Sequence, residues 1–167
     1  MSTAPAAVSV AIGQWAVAAS PSKIRTLLGS CVGVILYDRA GRVGGLAHVV
    51  LPNSRGAVDH PGKYADTAIP GLIADLGALR GKSAGRLVAK LTGGASMFTL
   101  GAASASPSSA IMNIGRTNQE AVEQILSALH IPVIARDLGG ATGRHVTLDT
   151  ATGLVLVRSP GAVEKEL

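Results

Sequence analysis

The chain contains 167 residues, carries a formal net charge of +5 and has a single cysteine, so an internal disulfide is excluded. Its length is typical of a single domain, which we assign to residues 1–167, with the core at about 8–158 and a polar tail at 159–167. One Trp, one Phe, two Tyr and no dense Lys/Arg run disfavour nucleic-acid binding, and no apolar run approaches the length of about 18 residues needed to insert across a membrane.

A strand is predicted near the N-terminus at residues 8–12, and Gly13 either ends it or bends it, in which case residues 15–18 continue it beyond a bulge. After a turn at Ser20-Pro21-Ser22, residues 24–28 lead directly to Gly29-Ser30-Cys31. The N-terminal segment lacks the basic region of a secretory signal. Together with the single thiol, this favours a cytoplasmic protein.

A β-hairpin is predicted where two apolar runs, residues 32–37 and 43–51, flank a turn at 38–41. With that turn, Cys31 lies directly opposite His48, and directly opposed side chains have Cβ atoms about 5 Å apart. A change of one residue in the loop would put the two side chains on opposite faces, and the glycine pair in the second run could hold a bulge. The hairpin therefore predicts a Cys-His pair whose register remains open.

The middle of the chain predicts a loop, a helix and a strand. Residues 52–63 form a long polar loop that could overhang the hairpin. Residues 64–80 have the apolar spacing of a helix, and its predicted buried face consists of Ala65, Ile69, Leu72, Ile73, Leu76 and Leu79. Pro70 predicts either a start or a kink there. Residues 87–91 form a strand that ends at Gly93-Gly94, and this pair lacks the Lys-Ser/Thr of a phosphate-binding loop, so no nucleotide cofactor is predicted.

The last third begins with a low-complexity surface loop at residues 101–110. A second helix follows, with Thr117 and Glu120 as its capping box. Its predicted buried stripe consists of Ala121, Val122, Ile125, Leu126 and Leu129. Strands are predicted at 132–136, 146–148 and 154–157.

Strands outnumber helices and are largely sequential along the chain. That order predicts an α+β domain with mostly sequential antiparallel or mixed sheets, in which sheet packs on sheet and helices cover one outer face. The fold class predicted from the elements is therefore a layered sandwich.

Cys31 and His48 have the chemistry of a thiol nucleophile and its base. Gly29 and Ser30 add little bulk before the cysteine, so a carbonyl could approach and the amides of residues 30 and 31 could face a developing oxyanion. The alternative is that Cys31 is a small buried hydrophobic residue and His48 a hydrogen-bonded core histidine, and the pattern alone favours this alternative. Four dispersed histidines show no metal-ligand spacing, so no metal site is predicted.

Two motifs are especially specific, LGSCVGVILYD at residues 28–38 and GGLAHVVLP at residues 44–52. Together with other segments, in their order along the chain, they resemble the CheD family, the chemoreceptor glutamine deamidases of bacterial chemotaxis. The others are AIGQWAVAASPSKIRTLLGSC, YADTAIPGLI, AKLTGGASMF, IGRTNQEAV, IPVIARDLGGATGRHV and TGLVLVR. The resemblance covers about residues 8–158 and implies an α/β/β sandwich.

The activity implied by the resemblance is that of a protein-glutamine glutaminase without a cofactor. Cys31 would attack the side-chain amide of a receptor glutamine, His48 would act as the base, and hydrolysis would leave glutamate. The third catalytic residue is ambiguous, because the family often has TLGLGSC where this chain has TLLGSC, so the threonine aligns with Arg25 or Thr26. A hydroxyl could accept a hydrogen bond from the imidazole, which favours Thr26, with Ser30 or the backbone as alternatives.

The resemblance also implies protein partners. These are the Glu-rich helices of chemoreceptors and a CheC-type phosphatase of the response regulator, competing for one surface. That surface is expected to include the cleft rim, residues 52–63 and residues 101–110, with Arg55 and Lys63 as its positive charges. Two other functions stay open: a binding module that regulates the phosphatase with little catalysis of its own, and another thiol hydrolase such as a peptidase or transamidase.

Overall fold

The computed structural model describes residues 4, 6–80, 85–96 and 114–167. In this part of the chain, ten strands form two five-stranded mixed sheets. The outer sheet has the order β1 (Ala6–Ser9), β3 (Ser22–Leu28), β8 (Arg144–Asp149), β9 (Val155–Arg158) and β10 (Lys165–Glu166). The central sheet has the order β2 (Trp15–Ala19), β5 (Val43–Val49), β4 (Val32–Asp38), β6 (Leu87–Gly93) and β7 (Val133–Leu138).

Two α-helices, α1 (Ala65–Arg80) and α2 (Ile114–Ala128), pack on the central sheet, and a short 3₁₀ helix (Pro61–Lys63) precedes α1. One apolar core lies between these helices and the central sheet, and a second lies between the two sheets. The layers are therefore helices, sheet and sheet, and the predicted α+β sandwich with helices on one outer face is confirmed. No helix in the described ranges is long and apolar enough to cross a membrane.

The burial of individual strands follows from their layer. Every residue of β4 is buried, because the central sheet is covered on both faces, and this explains the continuous apolar run in the sequence. In β3, by contrast, Ile24, Thr26 and Leu28 are buried while Arg25 and Leu27 are exposed. The outer sheet thus has one face in the core and one in solvent.

The hairpin register differs by two residues from the predicted one. In the β4–β5 ladder Val32 pairs with Val49, and Gly33 pairs with His48, without a bulge. The reason lies at the other end, where Asp38 completes β4 and moves the turn to residues 39–42. Its buried carboxylate accepts a hydrogen bond from the Gly41 amide at 3.1 Å. Since a two-residue shift preserves the alternation of side chains, the predicted face is retained.

α1 begins five residues before Pro70, so the proline lies inside the helix rather than at its start. Its buried face approaches β5 closely, because an added Cβ at Gly45 would lie 2.6 Å from the Leu72 side chain. Leu79, predicted to be buried, is 42% exposed. The next residue, Arg80, instead forms a buried salt bridge of 2.7 Å with Asp38.

The capping box predicted for α2 is wrong, because the helix already includes Ile114, three residues before Thr117. An added Cβ at Gly115 would lie 2.5 Å from the Gly94 carbonyl oxygen, so the first turn of the helix packs closely on that segment. This tertiary contact extends the helix beyond the start that local propensity indicates. Val122 and Leu126 are buried as predicted, whereas Leu129 follows the last helical residue and is 45% exposed.

The C-terminal residues also depart from expectation. The polar tail predicted at 159–167 contributes β10, which pairs antiparallel with β9 at the edge of the outer sheet. Beyond it, the Leu167 amide donates to the Val155 carbonyl at 2.8 Å. The loop predicted at residues 101–110 lies outside the described residues.

Candidate active site

One cavity of about 820 Å³ contains the predicted cysteine and histidine. It opens where β3, the start of β4 and the end of β5 meet. Its walls are formed by Val10, Ala11, Ile12, Thr26, Leu27, Leu28, Gly29, Ser30, Cys31, His48 and Gly143. A cavity of similar volume, about 800 Å³, lies near the other end of β4, and neither a thiol nor an imidazole lines it.

The Cys31 thiol lies in the wall of this cavity immediately before β4. The residue is 8% exposed and its sulfur is free. Continuing the β4–β5 register puts it opposite Val50, so His48 is its diagonal neighbour rather than its direct partner. Diagonal neighbours have Cα atoms about 7–8 Å apart, which an imidazole side chain can span. Burial raises the pKa of the Cys31 thiol, which favours the protonated form at rest.

The His48 imidazole is held by a chain of two hydrogen bonds. Its Nδ1 lies 2.8 Å from the Thr26 hydroxyl oxygen, and that hydroxyl donates to the Val10 carbonyl at 2.8 Å. Because the hydroxyl has one hydrogen, already donated to Val10, it accepts from Nδ1–H of His48. This tautomer leaves Nε2 with a free lone pair, as a general base requires. Burial lowers the pKa of His48, so the imidazole is neutral at rest.

Strand alternation decides which side chain reaches His48. Thr26 is buried on the inner face of β3, whereas Arg25, its neighbour in sequence, is exposed on the outer face. Ser30 lines the cavity, but the hydroxyl that contacts Nδ1 of His48 is that of Thr26. The structure thus brings together the threonine, the histidine and the cavity that contains Cys31.

The loop of residues 29–31, which carries Cys31, is held by hydrogen bonds from the turn after β6. The Gly94 amide donates to the Cys31 carbonyl at 2.8 Å, and the Ala95 amide donates to the Gly29 carbonyl at 3.0 Å. Within the described ranges, the amides of Ser30 and Cys31 donate to no protein acceptor. Because both residues line the cavity, these two amides are candidate donors to a group bound there.

Arg55 and Lys63 do not line the cavity. Arg55 is exposed in a turn, with a left-handed φ of 52°. Lys63 is tied to the sheet, because its carbonyl accepts the Val50 amide at 2.9 Å, and its ammonium lies 5.8 Å from the centre of the Tyr64 ring. A Cβ added at Gly13 would lie 3.7 Å from the Lys63 Cα, and Gly13 directly follows Ile12 of the cavity wall. The loop of residues 52–63 therefore flanks the wall of the cavity.

Sequence reasoning missed the apolar mouth of the cavity. Ile12 and Leu27 line it and are 66% and 58% exposed, respectively. The signal for Leu27 was its outward position between Thr26 and Leu28 in an alternating strand. The role of Val10 carried no sequence signal, because it acts through its backbone carbonyl. Among the described residues, no three His, Cys, Asp or Glu side chains cluster as metal ligands.

The sequence is similar to a known protein family and to several named proteins over most of its length. The family model described as CheD chemotactic sensory transduction matches residues 50–159. The chain is 46% identical over 156 residues to the probable chemoreceptor glutamine deamidase CheD of Methanococcus maripaludis, covering 91% of this chain and 94% of that one. It is 43% identical over 171 residues to the protein of the same description from Geobacillus kaustophilus, and both chains are fully covered. It is 45% identical over 157 residues to the chemoreceptor glutamine deamidase CheD of Thermotoga maritima, covering 93% and 94% of the two chains.

Proposed function

The chain belongs to the CheD family, and on that premise we propose that it is a cytoplasmic chemoreceptor glutamine deamidase that uses Cys31 as its nucleophile. The relatives named as chemoreceptor glutamine deamidases support the substrate class. The hydrogen-bond chain from Val10 through Thr26 to His48, beside the cavity that contains Cys31, supports the mechanism. A cysteine hydrolase needs a thiol, a base close to it and a group that orients the base, and these hydrogen bonds orient the His48 imidazole as such a base.

In the proposed mechanism, Nε2 of His48 takes the Cys31 thiol proton as the sulfur attacks the amide carbon of a glutamine side chain. The amides of Ser30 and Cys31 donate to the resulting oxyanion. His48 then gives the proton to the departing nitrogen, ammonia leaves, and a thioester remains. Water, deprotonated by His48, attacks the thioester, so that glutamate is released and the thiol regains its proton.

Burial favours neutral forms of both catalytic groups. It raises the pKa of Cys31 and lowers the pKa of His48, so each shift opposes a resting thiolate–imidazolium pair. The proton therefore moves as the sulfur attacks. Such a site limits reaction of the thiol with other electrophiles before a substrate fills the cavity.

The activity is tested by the intact mass of a cytoplasmic receptor fragment after incubation with the protein. Deamidation replaces an amide NH₂ by OH at chosen glutamines and leaves the chain uncut. A peptidase would instead produce shorter fragments, and a transamidase would add the mass of a supplied amine. A binding module of a CheC-type phosphatase would leave the fragment unchanged, which would overturn the proposal.

Thr26→Val should lower kcat by about 10- to 100-fold, because the imidazole loses the acceptor that fixes its tautomer. It should also lower the free energy of unfolding by about 1–3 kcal/mol, since the Val10 carbonyl and His48 Nδ1–H lose their partner. Thr26→Ser retains the hydroxyl and is the matched control. Deamidation kinetics and thermal unfolding of the wild type, Thr26→Val and Thr26→Ser provide the measurement. An unchanged kcat in Thr26→Val would indicate that Ser30 or the backbone, rather than Thr26, orients His48.

The partner surface is tested by reversing two charges on the loop beside the cavity. Arg55→Glu with Lys63→Glu should weaken binding of a Glu-rich receptor fragment and of a CheC-type phosphatase by about tenfold and make the salt dependence shallower. Arg39→Glu with Arg86→Glu, near the other end of β4, changes the net charge equally and serves as the control.

Competition provides the second arm of this test. If the two partners share the surface, titrating the phosphatase into the deamidation assay should inhibit the reaction. Simultaneous binding without mutual effect would show that the surfaces are separate. Wild-type affinity in the Arg55/Lys63 variant would show that the residue 52–63 loop is an ordinary solvated segment.

A further inference from the structure

Arg144 is a buried cation behind the candidate active site that the proposed mechanism does not use. It is the first residue of β8, pairs with Leu28 of β3 and is only 6% exposed. In β8 it alternates with Val146 and Leu148, so its side chain shares their inward face. Burial of a guanidinium costs free energy that a hydrophobic residue would not, which indicates a role other than general stability.

The guanidinium joins three separate groups. Nη1 donates to the Gly93 carbonyl at 2.6 Å, and Nη2 donates to the Gly139 carbonyl. Nε lies 3.0 Å from Oδ2 of Asp137 in an almost fully buried ion pair that lacks hydrogen-bond alignment, and the other oxygen of Asp137 pairs with Lys165. The two Nη groups of the planar guanidinium thus donate to two separate carbonyls from one rigid group. Arg144 therefore ties the end of β6 to the turn after β7, and it does so alongside a direct hydrogen bond of 2.9 Å from the Gly139 amide to the Gly93 carbonyl.

The end of β6 is the segment that supports the nucleophile. Gly93 has a φ of 98°, and a Cβ added there would lie 2.3 Å from the Cys31 carbonyl oxygen, so its backbone is in close contact with the cysteine. The next two amides, of Gly94 and Ala95, donate to the carbonyls of Cys31 and Gly29. On the opposite side, the side-chain amide of Gln119 donates to the Gly94 carbonyl at 3.1 Å.

From these contacts we propose that Arg144 is a positioning residue for the nucleophile. It acts through the turn of residues 93–95, whose amides set the position of the Cys31 backbone and hence of its sulfur and its amide donor. Displacement of a reacting group by about 1 Å can lower the rate about 100-fold, so a rigid support for this loop has kinetic consequences. The kinetic part rests on the proposed function, whereas the structural part does not.

Arg144→Met is the primary test, and Arg136→Met, which removes an exposed salt bridge to Glu123, is the matched control. We expect Arg144→Met to lower kcat about 10- to 100-fold with KM little changed, because substrate contacts remain. Amide hydrogen exchange of Gly94 and Ala95 should accelerate at a temperature where the protein is folded, while exchange in β4 stays slow. Arg136→Met should change neither quantity.

Arg144→Lys keeps the buried cation but not the fork, and replaces the primary variant if Arg144→Met does not fold. It should show an intermediate loss of kcat. The proposal would be overturned if hydrogen exchange at Gly94 and Ala95 equalled that of the control. It would also be overturned if exchange accelerated across the whole sheet while kcat stayed unchanged. If receptors are not substrates, kcat is unmeasurable for every protein, yet the exchange comparison still decides whether Arg144 holds the turn.

Discussion

Cys31→Ala is expected to abolish deamidation of a receptor fragment, with a loss of about 10⁴-fold or more in kcat. In the proposed mechanism the thiol sulfur forms the thioester, and the residues that line the cavity include no second nucleophile of comparable strength beside His48. The substitution removes one atom from a residue that is 8% exposed, so the fold and the cavity mouth should be unchanged. Intact mass of the receptor fragment over time measures the effect.

Binding by the same variant separates an enzyme from a binding module. Because the sulfur lies in the cavity wall, whereas Ile12 and Leu27 form the exposed mouth, Cys31→Ala should still bind the receptor fragment. Cys31→Ser, which retains a weaker nucleophile, should show little turnover and the same affinity. Deamidation by Cys31→Ala near the wild-type rate would refute the thiol mechanism.

The shared face of Cys31 and His48 was predictable from the sequence, whereas their register was not. Alternation of side chains is a local property of strands, and two apolar runs with a turn suffice to define it. The register depends on where the turn begins, and this is set by Asp38, whose carboxylate binds Arg80 at 2.7 Å and the Gly85 amide at 3.0 Å. Those partners are 42 and 47 residues away in sequence, so local pattern could not include them.

The layered arrangement of helices and sheets could also be predicted from the sequence, because it too depends on local patterns. Continuous burial of β4 and alternating burial of β3 each appear in the sequence as a pattern of apolar residues. The contacts that support the Cys31 loop were harder to predict from the sequence, because they join β6, β7 and β8. One local signal existed: Arg144 occupies an inward position of an alternating strand, where a charged side chain needs buried partners.

His48→Ala is expected to lower kcat by about 10²- to 10⁴-fold, the usual contribution of a general base. His145 offers a matched control, since it is an exposed imidazole on β8, and His145→Ala should keep the wild-type rate. Because burial lowers the pKa of His48 from its ordinary value of 6.5, the base should remain competent somewhat below that pH. The acidic limb of kcat/KM against pH should therefore lie below pH 6.5.

The same shift determines how stability depends on pH. In the window between the lowered folded pKa and the unfolded value of 6.5, the unfolded chain binds a proton at this histidine more readily than the folded chain does. The free energy of unfolding should therefore fall as the pH decreases through that window, and the contribution is fully present above pH 6.5. His48→Asn keeps a donor for Thr26 but does not titrate, so its stability should depend less steeply on pH there. Denaturant unfolding at a series of pH values measures this, and equal slopes for His48→Asn and the wild type would contradict a buried neutral imidazole.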